Sequence, residues 1–282
     1  MIVAEAIDRG DKELRERSSS PRLDVELLLA SVLQTDRTGL YQRLDGKLPP
    51  AAIQHFQKLL SMRKQDYPIA YLLGHQEFFG LPFRVDPRTL IPRAQTEALV
   101  SAIVRRWKNE PLRLVDIGTG SGAIAISLAH ELPLATIAAS DLSPAALTVA
   151  QDNAERLGVG HRIAWRSGSL LEPWADDSFD LVVANLPYLP SVAMGEPSIH
   201  HEPPLALHGG PDGLRVIEAF ATSLDSRPDI QSVILESLPQ QIETISYWLR
   251  HLRAYPFMTE PLWSYGQAAG VIGYRPKAES AS

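Results

Sequence analysis

The stretch VDIGTGSGA at residues 115–123 joins an apolar strand pattern to a helical one. Its three glycines, Gly118, Gly120 and Gly122, let the backbone turn tightly and approach a ligand without interference from Cβ atoms. About twenty residues further on, the next strand pattern ends in Asp141, an acid placed to bind a ribose diol. The stretch therefore predicts a site for an adenosine-containing cofactor. It also fits the dinucleotide pattern, so at this point nicotinamide and flavin cofactors remain open.

Strand and helix patterns alternate around this turn, from Pro111 to the end of the chain. The strand patterns are LRLVDIG, ATIAASD, HRIAWRSG, FDLVVAN and SVILES, followed by a pair near AYPFMTEP and AAGVIGYRP. This succession predicts an α/β fold in which a parallel sheet carries helices on both faces. Ligands of such sheets bind beyond the carboxyl ends of the strands.

The part of the chain before the sheet has helical periodicity. RLDVELLLASVLQ and AAIQHFQKLLSMRKQD each place apolar residues on one helix face. GHQEFFGLPFRV then alternates aromatic and polar residues around a Gly-Leu-Pro turn, which predicts a hairpin. We therefore expect a helical domain at 1–75, a hairpin connector at 76–90 and an α/β domain at 91–282.

Composition narrows the possible partners. The 282 residues carry 27 Lys and Arg against 33 Asp and Glu, and this net charge of −6 argues against broad binding to nucleic acid. There is no Cys, and His200-His201 is the only tight His pair, so we expect no metal site. The N-terminus is charged and the longest apolar stretch, around VELLLASVL, is too short for a bilayer. We expect a cytoplasmic protein without a membrane partner.

The segment ANLPYLP at residues 184–190 follows the apolar run FDLVV. Turn chemistry alone explains such a segment, but Asn185 ends a strand beside the predicted cofactor crevice. The Asn185 side-chain oxygen and the Leu186 carbonyl can accept the two N–H groups of a planar amide or amino group. The nitrogen lone pair then points at a sulfonium methyl group. Pro187 restricts the loop, and Tyr188 offers a flat face to the planar group.

Over nearly its whole length the chain resembles the HemK/PrmC-type glutamine N5-methyltransferases, which use S-adenosyl-L-methionine to modify peptide-chain release factors. The motifs that carry the likeness are DVELLLASVL, PIAYLLGHQEFFGLPFRV, TLIPRAQTEALV, VDIGTGSGAIAISLA, FDLVVANLPYLP and HEPPLALHGGPDGL. The resemblance implies a class I S-adenosylmethionine-dependent (Rossmann-like) methyltransferase domain. It also implies a small N-terminal helical domain that helps to dock the substrate. The methyl group would go to the side-chain amide of a glutamine in a Gly-Gly-Gln segment.

The resemblance also implies roles for individual residues. Asp141 would hold the cofactor ribose, and Ser169 would make a weak contact with the adenine. Arg93 would pair with the carboxylate of the cofactor, although a surface charge is an equally good interpretation. The glutamine would lie against Asn185, Leu186, Pro187 and Tyr188, of which Asn185, Pro187 and Tyr188 are the predicted catalytic residues. The cofactor would contact Gly118, Thr119, Gly120, Ser121, Gly122, Asp141, Ser169 and Asn185.

The chain departs from the family pattern at several places. Leu186 replaces the first proline of Asn-Pro-Pro-Tyr, and the resulting Asn-Leu-Pro-Tyr also resembles the loop of ribosomal RNA adenine dimethyltransferases. An RNA adenine N6-methyltransferase is therefore one alternative. Residues 185–215 contain only Arg215 as a basic residue, which speaks against it. Gly168 stands where the family usually has an acid, and LESLPQQ and WSYGQAAGVIG near the C-terminus also depart from the family pattern. The departures at Leu186, Gly168 and the C-terminus motivate a second alternative, a non-catalytic protein on a methyltransferase fold.

Two further interpretations concern acids. Asp116 ends the first strand pattern and is predicted to order the glycine turn by hydrogen bonds rather than to contact the cofactor. Glu202 follows His200 and His201, and we interpret the three as loop residues rather than as acid–base groups.

Overall fold

The computed structural model describes residues 1–275. Within this part of the chain the contacts separate two compact units. One unit contains residues 1–75 together with the short segment 197–201, and the other contains residues 76–196 and the chain from residue 202 onward.

The first unit is helical. Its helices are α1 (Val3–Leu14), α2 (Pro21–Val32), α3 (Arg37–Tyr41), α4 (Pro50–Arg63) and α5 (Ile69–Leu73). Local chemistry sets their starts: Pro21 occupies the first turn of α2, and Asp36 caps α3 by accepting from the Gly39 N–H at 2.7 Å. The apolar faces meet in one buried cluster that includes Ile7, Leu28 and Phe56. Segment 197–201 joins this unit through His201, whose ring lies 4.7 Å from that of Tyr67.

The predicted hairpin is confirmed. Strands β1 (His75–Phe78) and β2 (Leu81–Arg84) form a two-stranded sheet, and Phe79 and Gly80 make the turn with positive φ angles of 51° and 74°. The alternation of aromatic and polar residues in this segment reflects burial of one face of the hairpin. The rings of Phe78 and Phe83 are both buried and meet edge to face with centroids 6.0 Å apart.

The predicted α/β fold is confirmed, with a seven-stranded sheet in the described chain. Its strands are β3 (Leu112–Ile117), β4 (Ala135–Asp141), β5 (Ile163–Ser167), β6 (Leu181–Ala184), β9 (Ser232–Glu236), β10 (Met258–Ser264) and β11 (Gln267–Tyr274). The spatial order is β10-β11-β9-β6-β3-β4-β5. Strands β7 (Leu189–Pro190) and β8 (His208–Gly210) form a separate small pair.

The prediction of a parallel sheet is wrong for one strand, β11, whereas β10 runs in the same direction as β9. Strand β11 runs antiparallel to both β9 and β10. The reason is a tight turn between β10 and β11, where Tyr265 and Gly266 adopt φ angles of 47° and 78°. Two successive positive φ angles match the twist of a hairpin, which returns the chain alongside itself without a crossover helix.

Helices cover both faces of the sheet. They are α6 (Glu97–Trp107), α7 (Ala123–Glu131), α8 (Pro144–Arg156), α10 (Arg215–Ser223) and α11 (Ile242–Arg250), whereas the short α9 (Pro204–Leu207) lies between β7 and β8. The residues of β6 alternate between two buried clusters: Leu181 and Val183 pack with α6 and α7, whereas Val182 and Ala184 pack with α10 and α11. None of the helices in residues 1–275 is long and apolar enough to cross a membrane.

Candidate active site

A cavity of about 360 Å³ lies at the carboxyl ends of β3, β4 and β6. Strands β4 and β6 flank β3 on opposite sides, so the loops after these three strands meet at one edge of the sheet. The cavity brings together many of the residues singled out in the sequence, namely Gly118, Gly120, Asp141, Ser169, Asn185, Leu186 and Pro187. The other predicted residues, Thr119, Ser121, Gly122 and Tyr188, do not belong to the cavity wall.

A buried acid, Asp116, anchors the glycine turn by hydrogen bonds. Asp116 is fully buried and accepts hydrogen bonds from the Thr119 hydroxyl at 2.6 Å and from the Ala125 N–H at 3.2 Å. The hydrogen bonds predicted for Asp116 are therefore confirmed. Burial raises the pKa of Asp116 to about 7, although the two hydrogen bonds act in the opposite direction.

Asp141 presents a carboxylate to the cavity from the end of β4. Its two oxygens accept from the N–H groups of Gly120 and Ser143, each at 2.8 Å. Burial raises the pKa of Asp141, and these backbone hydrogen bonds lower it by less. Each carboxylate oxygen has a further lone pair, so Asp141 can still accept hydrogen bonds from a diol.

The Asn185 side chain is oriented by Thr96, a residue that was not predicted from the sequence. Its Nδ2 donates to the hydroxyl of the buried Thr96 at 3.1 Å. The next residue, Leu186, is 4 % exposed, and its Cδ2 would lie 3.4 Å from a Cβ atom placed on Gly118. The leucine side chain therefore fills the core beside the glycine turn, while its backbone carbonyl stays in the loop.

Tyr188 is held by two other parts of the chain. Its hydroxyl donates to Glu236 Oε1 at 2.9 Å, and its carbonyl accepts from Gln241 Nε2 at 2.9 Å. Burial is the largest cause that raises the pKa of Tyr188. A Cβ atom on Gly213 would lie 2.1 Å from the Tyr188 carbonyl oxygen, so only glycine allows the GGPDGL segment to approach the loop this closely.

The LIPR segment is held by Glu202. This acid is 3 % exposed, accepts from the Ile91 N–H at 3.0 Å and pairs with the Arg93 guanidinium. The structure thus places Arg93 against a protein carboxylate. Glu202 lies in a loop, as interpreted from the sequence, and its role there is to join two distant segments.

Sequence reasoning missed Thr96 and Glu236. Glu236 is the last residue of β9, and the parallel register pairs Leu235 with Ala184, which places Glu236 beside Asn185. The available signal was a charged residue at the end of the apolar run SVILE. That signal has meaning only when β6 and β9 are known to be neighbours.

The residues on the cavity wall fit S-adenosylmethionine. Asp141 offers acceptors for a ribose diol, the turn at Gly118 and Gly120 allows close approach of a ligand, and Leu142 and Ala146 supply apolar wall. The volume lies in the usual range for small-molecule sites. In residues 1–275 no group of three or more His, Asp or Glu residues is arranged to hold a metal ion.

The comparisons with known proteins agree with this architecture. Residues 5–74 match the family model of the PrmC N-terminal domain, and residues 94–200 match the methyltransferase small domain. A solved structure of the hMettl16 catalytic domain, in complex with a MAT2A 3′UTR hairpin, aligns with a TM-score of 0.59 at 16 % identity. The alignment covers 77 % of this chain and 80 % of that one, and it supports the fold alone. Fold, cavity and family models define a Rossmann-like methyltransferase.

Curated relatives define the family more closely. The release factor glutamine methyltransferase of Moorella thermoacetica is 48 % identical over 69 % of this chain and 70 % of its own length. Those of Vibrio cholerae and Deinococcus radiodurans are 37 % and 34 % identical, and each alignment covers about four fifths of both chains. The chain belongs to the release factor glutamine methyltransferase family.

Proposed function

We propose that this protein transfers a methyl group from S-adenosylmethionine to the side-chain amide nitrogen of a glutamine in the Gly-Gly-Gln segment of a peptide-chain release factor. The observation that carries the proposal is the placement of Asn185, whose amide is held by Thr96 at the wall of the cavity. Family membership supports the choice of substrate.

The cofactor half of the reaction depends on the residues at the ends of β3 and β4. Asp141 would hold the ribose, the turn at Gly118 and Gly120 would lie against the ligand, and Ser169 would contact the adenine. When bound, the cofactor supplies an electrophilic methyl group on a positively charged sulfur. Thr119 and Ser121 would act indirectly, because the Thr119 hydroxyl donates to Asp116 and the Ser121 carbonyl accepts from Asn153.

The acceptor half depends on the loop after β6. The Asn185 side-chain oxygen and the Leu186 carbonyl would accept the two N–H groups of the glutamine amide, which directs its nitrogen toward the methyl group. Pro187 restricts the loop, and Tyr188 is held in place by Glu236 and Gln241. Alignment and charge placement carry the reaction, and no nucleophilic side chain is required.

The two alternatives receive less support. Arg88 and Arg215 are the cationic residues among those that line the cavity, and Arg88 is paired with Asp86 at 2.6 Å, so the cavity offers little attraction for an RNA backbone. A non-catalytic protein is disfavoured because the Leu186 substitution keeps the backbone carbonyl in a loop that is still anchored by Thr96 and Glu236.

We propose that three parts of the chain have separate roles. The helical domain at 1–75 would dock the release factor, and the methyltransferase domain at 91–282 would catalyse the transfer. The hairpin segment at 76–90 would connect these two domains. In support, residues 5–74 match the PrmC N-terminal domain model.

The proposal is tested by incubating the purified protein with S-adenosylmethionine and a release factor. We expect one added methyl group on the glutamine of the Gly-Gly-Gln segment, identified by peptide mass analysis. A release factor with that glutamine changed to alanine is the control and should gain none. Methyl transfer to RNA without transfer to the release factor would favour the adenine methyltransferase instead.

A further inference from the structure

A buried carboxylate lies directly behind the Asn-Leu-Pro-Tyr loop. Glu236 ends β9 and is 1 % exposed. Its Oε1 accepts from the Tyr188 hydroxyl at 2.9 Å, whereas its Oε2 makes no hydrogen bond within residues 1–275. A carboxylate with an unsatisfied oxygen is costly to bury, and a glutamine of nearly the same shape would avoid the charge. The packing of this region alone gives no reason for an acid.

Two of the side chains that act on Glu236, Tyr188 and Asn185, belong to the proposed acceptor loop, and a third, Thr96, holds Asn185. Burial, the largest cause, raises the pKa of Glu236, and interactions with Thr96, Tyr188 and Asn185 lower it together with the charge of Arg93. Arg93 does not neutralise Glu236, since its guanidinium pairs with Glu202. The carboxylate therefore acts mainly on the neutral side chains of the loop and of Thr96.

The orientation of the Asn185 amide decides whether the loop can bind a glutamine. With Nδ2 directed at the Thr96 hydroxyl, Oδ1 is left to accept an N–H group of the substrate. Thr96 alone does not enforce this orientation, because a hydroxyl both donates and accepts and would serve a flipped amide equally well. A flipped amide would, however, turn Oδ1 toward Glu236, and the ionised carboxylate would repel it.

We infer that Glu236 is a positioning residue that fixes the Asn185 amide with Nδ2 inward and Oδ1 available to the acceptor glutamine, and that ties Tyr188 to the same point. The inference rests on the proposed function and deepens it. One carboxylate thereby holds both ends of the four-residue loop, from Asn185 to Tyr188. Neither end requires Glu236 to touch the substrate.

The test compares Glu236→Gln with the wild-type protein. Glutamine keeps the shape and can still accept from Tyr188, but its NH₂ group can donate to a flipped Asn185 Oδ1. We expect kcat for the release factor to fall about 10- to 100-fold. The Kd for S-adenosylmethionine should stay within about twofold and the melting temperature should not decrease, since a buried charge has been removed. Glu260→Gln, which changes an exposed glutamate on β10, is the matched control and should leave all three values unchanged.

Thr96 gives a second, independent readout. Thr96→Ser keeps the hydroxyl and should retain most of the activity, whereas Thr96→Val removes the acceptor for Asn185 Nδ2 and should lower kcat. Because Thr96 and Glu236 act on the same amide, Thr96→Val combined with Glu236→Gln should lose much less than the product of the two single effects.

The possible failures can be told apart. Wild-type kcat and KM in Glu236→Gln would overturn the inference and leave the proposed function intact. Parallel losses of cofactor affinity, melting temperature and kcat would also overturn it, because they would assign Glu236 a packing role. A wild-type protein that binds the cofactor but does not methylate the release factor would overturn both proposals.

Discussion

Gly168 is the residue at which a small change should disturb the cavity wall most directly. Its φ angle is 155°, and a Cβ atom there would lie 2.5 Å from Cγ of Pro173. Gly168→Ala should therefore lower the free energy of unfolding by about 1–3 kcal/mol, measured by urea denaturation. Gly195→Ala is the control, since nothing lies within 4 Å of its added Cβ. The positive φ angle and the nearness of Pro173 both disfavour a side chain, and hence an acid, at position 168. Equal stability of the two variants would contradict this explanation.

Asp116 should make stability depend on pH. Its pKa in the folded protein is about 7, above the ordinary aspartate value. Between about pH 4 and pH 7 the folded state thus binds the proton more tightly than the unfolded state, and Asp116 lowers the free energy of unfolding as pH rises. Asp116→Asn should remove this contribution. Relative to wild type, the variant should gain about 2–4 kcal/mol across that window in denaturation measured at several pH values. A constant difference at all pH values would contradict the prediction.

Single residues were predictable from sequence when each ended a strand pattern and also belonged to a motif, namely the glycine turn with its later acid or the Asn-Leu-Pro-Tyr loop. Asp141 and Asn185 were of this kind, and both lie on the cavity wall. Thr96 and Glu236 were not predicted, because their importance depends on contacts with Asn185 and Tyr188 across 89 and 48 positions of the chain. Period and spacing carry no information about such long-range partners.

At the scale of elements, Asn153 joins the hairpin, α8 and the glycine turn. Its side chain accepts from the Arg84 N–H at 2.8 Å and donates to the carbonyls of Arg84 at 3.0 Å and Ser121 at 2.9 Å. Asn153→Ala leaves these backbone groups without partners and should lower the free energy of unfolding by about 2–4 kcal/mol.

Because Ser121 lies within the glycine turn, Asn153→Ala should also weaken cofactor binding roughly 3- to 10-fold in calorimetric titration. The neighbouring Asp152→Ala changes an exposed residue of the same helix and should change neither quantity. Unaltered cofactor affinity in a destabilised Asn153→Ala protein would show that the turn does not depend on this link.

The elements themselves were largely predictable, but not all their directions. Alternation of strand and helix patterns predicted β3, β4, β5, β6 and β9 as parallel, because parallel strands need a crossover connection, which is usually a helix. A strand has the same residue period whichever way it runs, so the period could not give the direction of β11 in the last pair, β10 and β11. The Tyr265-Gly266 pair between them was the overlooked signal, since positive φ angles at both positions define a hairpin turn.

At the scale of the whole molecule, the cavity-lining residues within 1–275 all lie between Arg88 and Ala219 of the sheet-containing unit. A fragment of residues 76–282 should therefore bind S-adenosylmethionine with an affinity within a fewfold of that of the full chain, measured by calorimetry. If residues 1–75 dock the substrate, as proposed, its kcat/KM should fall more for an intact release factor than for a short Gly-Gly-Gln peptide. A folded fragment without cofactor affinity would contradict the first expectation, and equal losses would contradict the second.

The most direct test of the central claim is to locate the transferred methyl group with wild-type protein and with Asn185→Ala. Both proteins are incubated with S-adenosylmethionine and a release factor, and the products are fragmented and weighed. We predict one methyl group on the side chain of the Gly-Gly-Gln glutamine with wild type. With Asn185→Ala we predict none, although the variant still binds the cofactor. Undiminished methylation by Asn185→Ala, or no methylation of that glutamine by a wild-type protein that binds the cofactor, would contradict the account.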